Sequence, residues 1–152
     1  YDGKTCEATT PKVSISNGPA VSPDGRTLYH VDTAGQVVHA ATLGADGGLS
    51  DPRVFVRLGE GEGFPDGPVC DAEGCVWIAL YNGHSVRRYS PKGELLETVR
   101  FPVSAITKIA FGGPDLKTVY ATTAAKHLDA WLKARGVIFT RLDSSAFIAP
   151  SN

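Results

Sequence analysis

Methionine is missing from the 152 residues of this chain, and cysteine occurs only three times. The chain opens Tyr1-Asp2-Gly3-Lys4, with no basic stretch leading into an apolar run, so its start does not read as a signal peptide. Without a Met it reads as an excerpt of something longer. Cys6, Cys70 and Cys75 are too few and too odd in number for a disulfide framework. No Cys-x-x-Cys spacing prepares a structural zinc site. Cys70 and Cys75 flank Asp71-Ala72-Glu73-Gly74, which reads as a hairpin loop. Two small buried thiols in a reducing, cytoplasmic compartment are expected there, with a cross-strand bridge as the alternative. No window approaches the roughly 20 apolar residues of a membrane span. No charge of one sign dominates either: 15 Lys and Arg face 16 Asp and Glu, for a net charge of −1. That removes the electrostatic case for nucleic acid or an anionic membrane as partner. Several catalytic signatures are also lacking. There is no Gly-x-Ser-x-Gly elbow, no glycine-rich phosphate loop opening a helix, and no metal-ligand spacing among His30, His39, His84 and His127. His30 alternates with Tyr29 on a strand and is expected to be a satisfied strand histidine. Arg87-Arg88 reads as part of a solvated outer surface.

What the chain has in excess is turn-forming residues. Its 17 glycines and 10 prolines make roughly 18% of the sequence, against a usual share of about 12%. With 42% hydrophobic and 20% charged residues it can still bury a core. This combination favours an all-β fold of short strands over a helix bundle.

The sequence repeats. Asn17 to Asp32, Asp66 to Leu80 and Thr107 to Thr122 each run as a short apolar strand, a Gly-bearing acidic turn, and a strand centred on an aromatic. The aromatics are Tyr29, Trp77 and Tyr120, at spacings of 48 and 43 residues. A further hairpin follows in the first two units, through Gly35–Ala41 with the turn Ala45–Gly48, and through Ser85–Ser90, Pro91–Glu94 and Leu95–Arg100. Four short strands in about 45 residues is the period of a β-propeller blade. Ala124 to Arg135 is the one weakly helical stretch and reads as an excursion on a blade. Three blades do not close a ring, which takes about four to eight. Residues 1–152 are therefore expected to be a partial propeller. A ring made of two copies of the chain is the competing arrangement.

In this alignment Asn17, Asp66 and Thr107 share one position, at the start of an innermost strand where successive blades converge. Converging polar groups suit a metal or substrate site, and an amide oxygen with a carboxylate suits a hard divalent cation. Asn-Gly and Asp-Gly are equally common turn dipeptides, so turn chemistry is the other explanation.

The repeats resemble the SMP-30/gluconolactonase (regucalcin-like) family. The resemblance is carried by Ser16-Asn17-Gly18-Pro19-Ala20 with Ser22–Tyr29 and Val31-Asp32. Phe64–Val69 with Asp71–Gly74 and Val76–Ala79 continue it, as do Ala110–Leu116 with Val119–Thr123. It runs in order from about Val13 to Thr123. It implies a six-bladed propeller of which this chain is the C-terminal half, with the remaining N-terminal blades as its structural partner. It also implies metal-dependent hydrolysis of a sugar lactone. One divalent ion (Ca²⁺, Zn²⁺, Mn²⁺ or Mg²⁺) would be held by Asn17, Asp66 and a Glu upstream of Tyr1. Asp66 would be ligand and general base together, and Asn17 would ligate and orient. Tyr81–His84 reads first as a turn, though the family places similar residues near the pocket mouth, which would make Tyr81 and Asn82 substrate contacts; Thr107, the third of the aligned polar residues, is the other candidate substrate contact. Val137–Asp143 is similar to the family's final strand, whereas Ser144–Asn152 departs from its ending. On this reading the isolated chain is inactive. The alternatives are a non-catalytic propeller scaffold and a paraoxonase-like or strictosidine-synthase-like hydrolase.

Overall fold

The computed structural model describes residues 13–124 and the strand Thr140–Asp143. Every element among these residues is a strand. The first blade is β1 (Ser16–Val21), β2 (Thr27–Asp32), β3 (Val37–Leu43) and β4 (Leu49–Arg57), paired in that order. The second is β5 (Phe64–Cys70), β6 (Val76–Tyr81), β7 (Ser85–Tyr89) and β8 (Leu95–Arg100). β9 (Ile106–Gly112), β10 (Thr118–Thr123) and β11 (Thr140–Asp143) form the third, all pairs within blades being antiparallel. The expected helical stretch lies outside the described residues but for Ala124, whose N–H donates to Ala105 O at 2.9 Å. Of the expected final strand, Thr140–Asp143 pairs with β10.

Each inner hairpin turns on the same device. The Asp24, Asp71 and Asp115 carboxylates accept from the backbone N–H two residues on, those of Arg26, Glu73 and Lys117. An aspartate that bonds its own backbone in this way makes a turn without help from the rest of the fold.

The register makes the blades equivalent. Ala20 faces Tyr29, Val69 faces Trp77 and Ala110 faces Tyr120 across their hairpins. Alternation along β2 and β6 then sends these aromatics to one side of each sheet. Tyr29 joins Val31, Val38, Ile78 and Leu80 in a core between the first and second blades. Trp77 joins Ala79, Val86, Ile106 and Ile109 in a core between the second and third. Tyr29 and Trp77 are buried, as a mid-strand aromatic facing the next blade should be. Tyr120 is 42% exposed on the corresponding side of the third blade.

The inner strands lie side by side. A parallel bridge joins Gly67 of β5 to Lys108 of β9, so the second and third blades merge into one seven-stranded sheet. Bare backbone is needed at these contacts. A Cβ on Gly18 would lie 3.2 Å from the Pro68 ring, and one on Gly67 would lie 2.3 Å from Lys108 Cδ.

Candidate functional site

The three aligned polar residues stand at irregularities of the inner strands. The β1–β2 register shifts between Asn17 and Ala20, and the β5–β6 register between Pro65 and Pro68, around Asp66. In β9 the shift opposite Thr122 and Thr123 leaves Thr107 as the extra residue. Such bulges re-aim a side chain out of the pleat. All three lie at the end of the blades where the inner strands begin.

Asn17 and Asp66 are joined indirectly. Asn17 Nδ2 donates to Thr33 Oγ1 at 2.8 Å, and that hydroxyl donates to Pro65 O, also at 2.8 Å. The chain spans two blades and fixes the Asn17 amide with its nitrogen committed, leaving Oδ1 as an acceptor. Just upstream, Asp32 Oδ1 accepts from the N–H groups of Ser14, Ile15 and Gly35, which ties down the start of β1.

Asp66 is half-buried. Burial raises its carboxyl above the ordinary range, against the opposing pull of the Gly67 N–H and the Lys108 ammonium. Among the described residues no ion pair engages it. A half-buried carboxylate and an oriented amide oxygen are both hard donors, of the kind that fits a divalent cation. Lys108 Nζ donates to Pro68 O at 2.6 Å, its charge disfavoured by partial burial and favoured by Asp66. The Thr107 hydroxyl shares a hydrogen bond with Thr122 Oγ1 at 2.8 Å within its own blade.

Tyr81 ends β6 opposite Phe64 and bridges to Ala105, while Asn82 stands in the following turn with φ of 59°. Both are thus at the same end as Asp66. The turn is held by backbone contact: a Cβ on Gly63 would lie 2.6 Å from Gly83 Cα, and one on Gly83 would lie 2.7 Å from Glu62 O.

A second group of metal-capable side chains is Asp71, Glu73 and Cys75, whose ligand atoms lie within 4.8 Å of one another. Arg88 occupies it. Its guanidinium reaches Asp71 Oδ2 at 2.8 Å and Glu73 Oε2 at 2.5 Å, and Trp77 Nε1 also donates to Asp71. This cluster is an aromatic and ionic brace that ties the inner β5–β6 turn to β7. Arg88 sits 5.7 Å over the Trp77 ring, and Arg87 pairs with Glu62 at 2.7 Å. The arginine pair is therefore not a solvated surface. Both side chains point into acidic turns that the strand pattern alone does not reveal. Nor is His30 satisfied: it is buried with no hydrogen-bond partner at either ring nitrogen among the described residues. Cys70 and Cys75 are free thiols, and burial pushes Cys70 up to about 11.

Thr33 and Lys108 escaped the sequence reading, although each left a trace. Thr33 follows Tyr29 at the interval by which Tyr81 follows Trp77. Lys108 stands where the two earlier repeats have glycine.

A family model described as SMP-30/Gluconolactonase/LRE-like region matches residues 1–125. The chain is 36% identical over 137 residues to 6-deoxy-6-sulfogluconolactonase of Pseudomonas putida, covering 86% of this chain and 47% of that protein. It is 40% identical over 125 residues to regucalcin of Xenopus laevis, covering 81% and 42%. A solved calcium-binding protein, regucalcin, from Agrobacterium tumefaciens superimposes with a TM-score of 0.76 at 36% identity, over 86% of this chain and 46% of that one. The chain thus spans about half the length of the relatives it matches.

Proposed function

The chain belongs to the SMP-30/gluconolactonase/LRE-like family, and on that footing we propose that it contributes the C-terminal half of the site of a metal-dependent sugar lactone hydrolase. The other blades would supply the rest of the ring and a further carboxylate ligand. The observation that carries this reading is the half-buried Asp66 carboxylate, free of any ion pair among the described residues. It is coupled through Pro65 and Thr33 to an Asn17 amide whose oxygen is left to accept. Half-burying a carboxylate without an ion pair has a cost that turn formation alone does not require. The names of the relatives support the substrate class: one acts on a sulfonated gluconolactone, another is a calcium-binding protein.

Asn17 Oδ1 and the Asp66 carboxylate would hold the ion, which when bound supplies Lewis acidity toward the lactone and acidifies water. Asp66 would accept the proton of the attacking water at its second oxygen. The neutral Asn17 binds and orients, with its rotamer locked by Thr33. Tyr81 and Asn82 would contact the sugar from the β6–β7 turn, and Thr107 would do so from the third inner strand.

The test is hydrolysis of a panel of aldonolactones by the full protein carrying this chain, with Ca²⁺, Mn²⁺, Zn²⁺ and Mg²⁺ in turn, beside Asp66→Asn. The expected result is metal-dependent turnover in the native protein. Asp66→Asn should lose turnover by two or more orders of magnitude and lose the metal-induced rise in Tm. Wild-type turnover by Asp66→Asn at saturating metal overturns the assignment. Absence of lactonase activity in the native protein would leave a binding scaffold.

A further inference from the structure

The third inner strand breaks the repeat at one position. Gly18, Gly67 and Lys108 follow Asn17, Asp66 and Thr107 in equivalent places. A Cβ on the first would crowd the Pro68 ring at 3.2 Å, and one on the second would meet the Lys108 stem at 2.3 Å and Thr107 O at 3.0 Å. The third carries the longest unbranched side chain of the twenty residues. Its stem lies over Gly67, its Nζ reaches back to Pro68 O at 2.6 Å, and Asp66 is the carboxylate whose charge acts on it. A departure from a local rule points to function where structure does not account for all of it. The bond to Pro68 O is a contact between blades, but a single carbonyl does not account for an ammonium here.

An ammonium has three donors. Among the described residues one is used, by a neutral carbonyl. The side chain is otherwise exposed. While Asp66 is uncommitted, the two charges offset each other. Once Asp66 is committed to a cation, its negative charge no longer compensates Lys108, and the polar neighbours Asn17, Thr33 and Thr107 are neutral. The inner-strand cluster then carries surplus positive charge with unused N–H donors. That is a receptor for an anion.

We propose that Lys108 is a specificity-determining residue that receives an acidic substituent of the sugar lactone, a sulfonate or phosphate remote from the carbonyl that is attacked. This rests on the lactonase reading of the Asn17–Asp66 site and names its substrate class. Lys108 binds and orients; it takes no part in proton transfer.

The deciding experiment measures kcat/KM of the full protein for gluconolactone and for its 6-sulfonate and 6-phosphate counterparts, in native form, Lys108→Met and Lys108→Arg. The native protein should favour an acidic lactone over the neutral one by at least about tenfold, the scale of one charge-assisted contact. In Lys108→Met that ratio should fall toward unity, chiefly through KM, and Lys108→Arg should restore most of it. The sulfonate and phosphate arms decide which anion fits. Calorimetric binding of the corresponding open-chain aldonates to Ca²⁺-loaded protein gives a second readout independent of turnover. Ca²⁺-loaded native protein should bind the acidic aldonate more tightly than gluconate, and Lys108→Met should not. Equal kcat/KM for neutral and acidic lactones in the native protein, or a preference that survives Lys108→Met, overturns the proposal. If no lactone is turned over, the lactonase reading fails, and the binding arm still decides whether Lys108 holds an anion.

Discussion

His30 packs against His39 across the β2–β3 pair, the rings stacked with centroids 4.9 Å apart, in a place that gives its nitrogens no partner among the described residues. Burial pushes its pKa below the ordinary value, the neighbouring His39 adds to the effect, and Asp32 opposes it. In the unfolded chain His30 takes a proton near pH 6.5, whereas in the folded chain it stays neutral to lower pH. Between those two values the unfolded state holds the extra proton, so stability falls as pH drops through about 6.5 toward the folded pKa. His30→Leu should flatten that slope. Denaturant unfolding of native and His30→Leu protein from pH 7.5 down to pH 5 measures it, and identical slopes would show that His30 is not what titrates. The same residue shows what a sequence conceals. Alternation on β2 identifies a strand histidine, but whether its nitrogens find partners depends on the opposite face, which no local pattern encodes. Arg87 and Arg88 were opaque for a like reason. Their acceptors, Glu62, Asp71 and Glu73, lie 15 to 25 residues away in sequence.

At the scale of the element, the inner strand sets Asn17, Asp66 and Thr107 at equivalent places, and that strand was legible although its bulge was not. Asn17-Gly18, Asp66-Gly67 and Thr107 line up by eye, and the observed registers Ala20–Tyr29, Val69–Trp77 and Ala110–Tyr120 repeat that alignment. Turn chemistry and period are local signals, so they survive in one sequence. The Thr33 bridge and the Lys108 reach are contacts between blades and do not. The loop that delivers β5 to the site offers a test of such packing. Gly61 and Gly63 both have positive φ, 79° and 94°. A Cβ on Gly61 would meet nothing within 4 Å, whereas one on Gly63 would press on Gly83 backbone at 2.6 Å. Gly61→Ala should cost about 1 kcal/mol, from conformation alone. Gly63→Ala should cost clearly more, about 2–4 kcal/mol, because backbone must move. It should also weaken metal binding by displacing Asp66. Equal costs in chemical denaturation would mean that the Gly63–Gly83 contact does not hold the loop.

For the whole molecule, the two cores are both inter-blade: one lies between the first and second blades, the other between the second and third. A blade here is stabilised by its neighbours rather than by itself, as in other repeat architectures. Among the described residues no blade covers the outward side of the third blade. Tyr120 occupies the position that is buried as Tyr29 and Trp77 in the other two, yet it is 42% exposed. At the other end Ile15, Val21 and Val54 are 53%, 42% and 52% exposed. Apolar surface of this kind promotes association. If the ring is completed by further blades, these 152 residues produced alone should self-associate without a fixed stoichiometry. They should hydrolyse no lactone above the metal-ion background, because a cation held by Asn17 and Asp66 alone keeps its remaining positions for water. Light scattering after size exclusion, beside a lactone assay with and without Ca²⁺, Mn²⁺ and Zn²⁺, measures both. A two-copy ring predicts the opposite, a discrete dimer in which the Tyr120 face of one copy covers the Ile15 and Val21 end of the other. In that case Tyr120→Lys should dissociate the dimer, since a charge would replace an aromatic in a closed apolar contact. A discrete species with metal-dependent turnover, broken by Tyr120→Lys, would establish that three blades and their duplicate suffice, and would refute the half-ring reading.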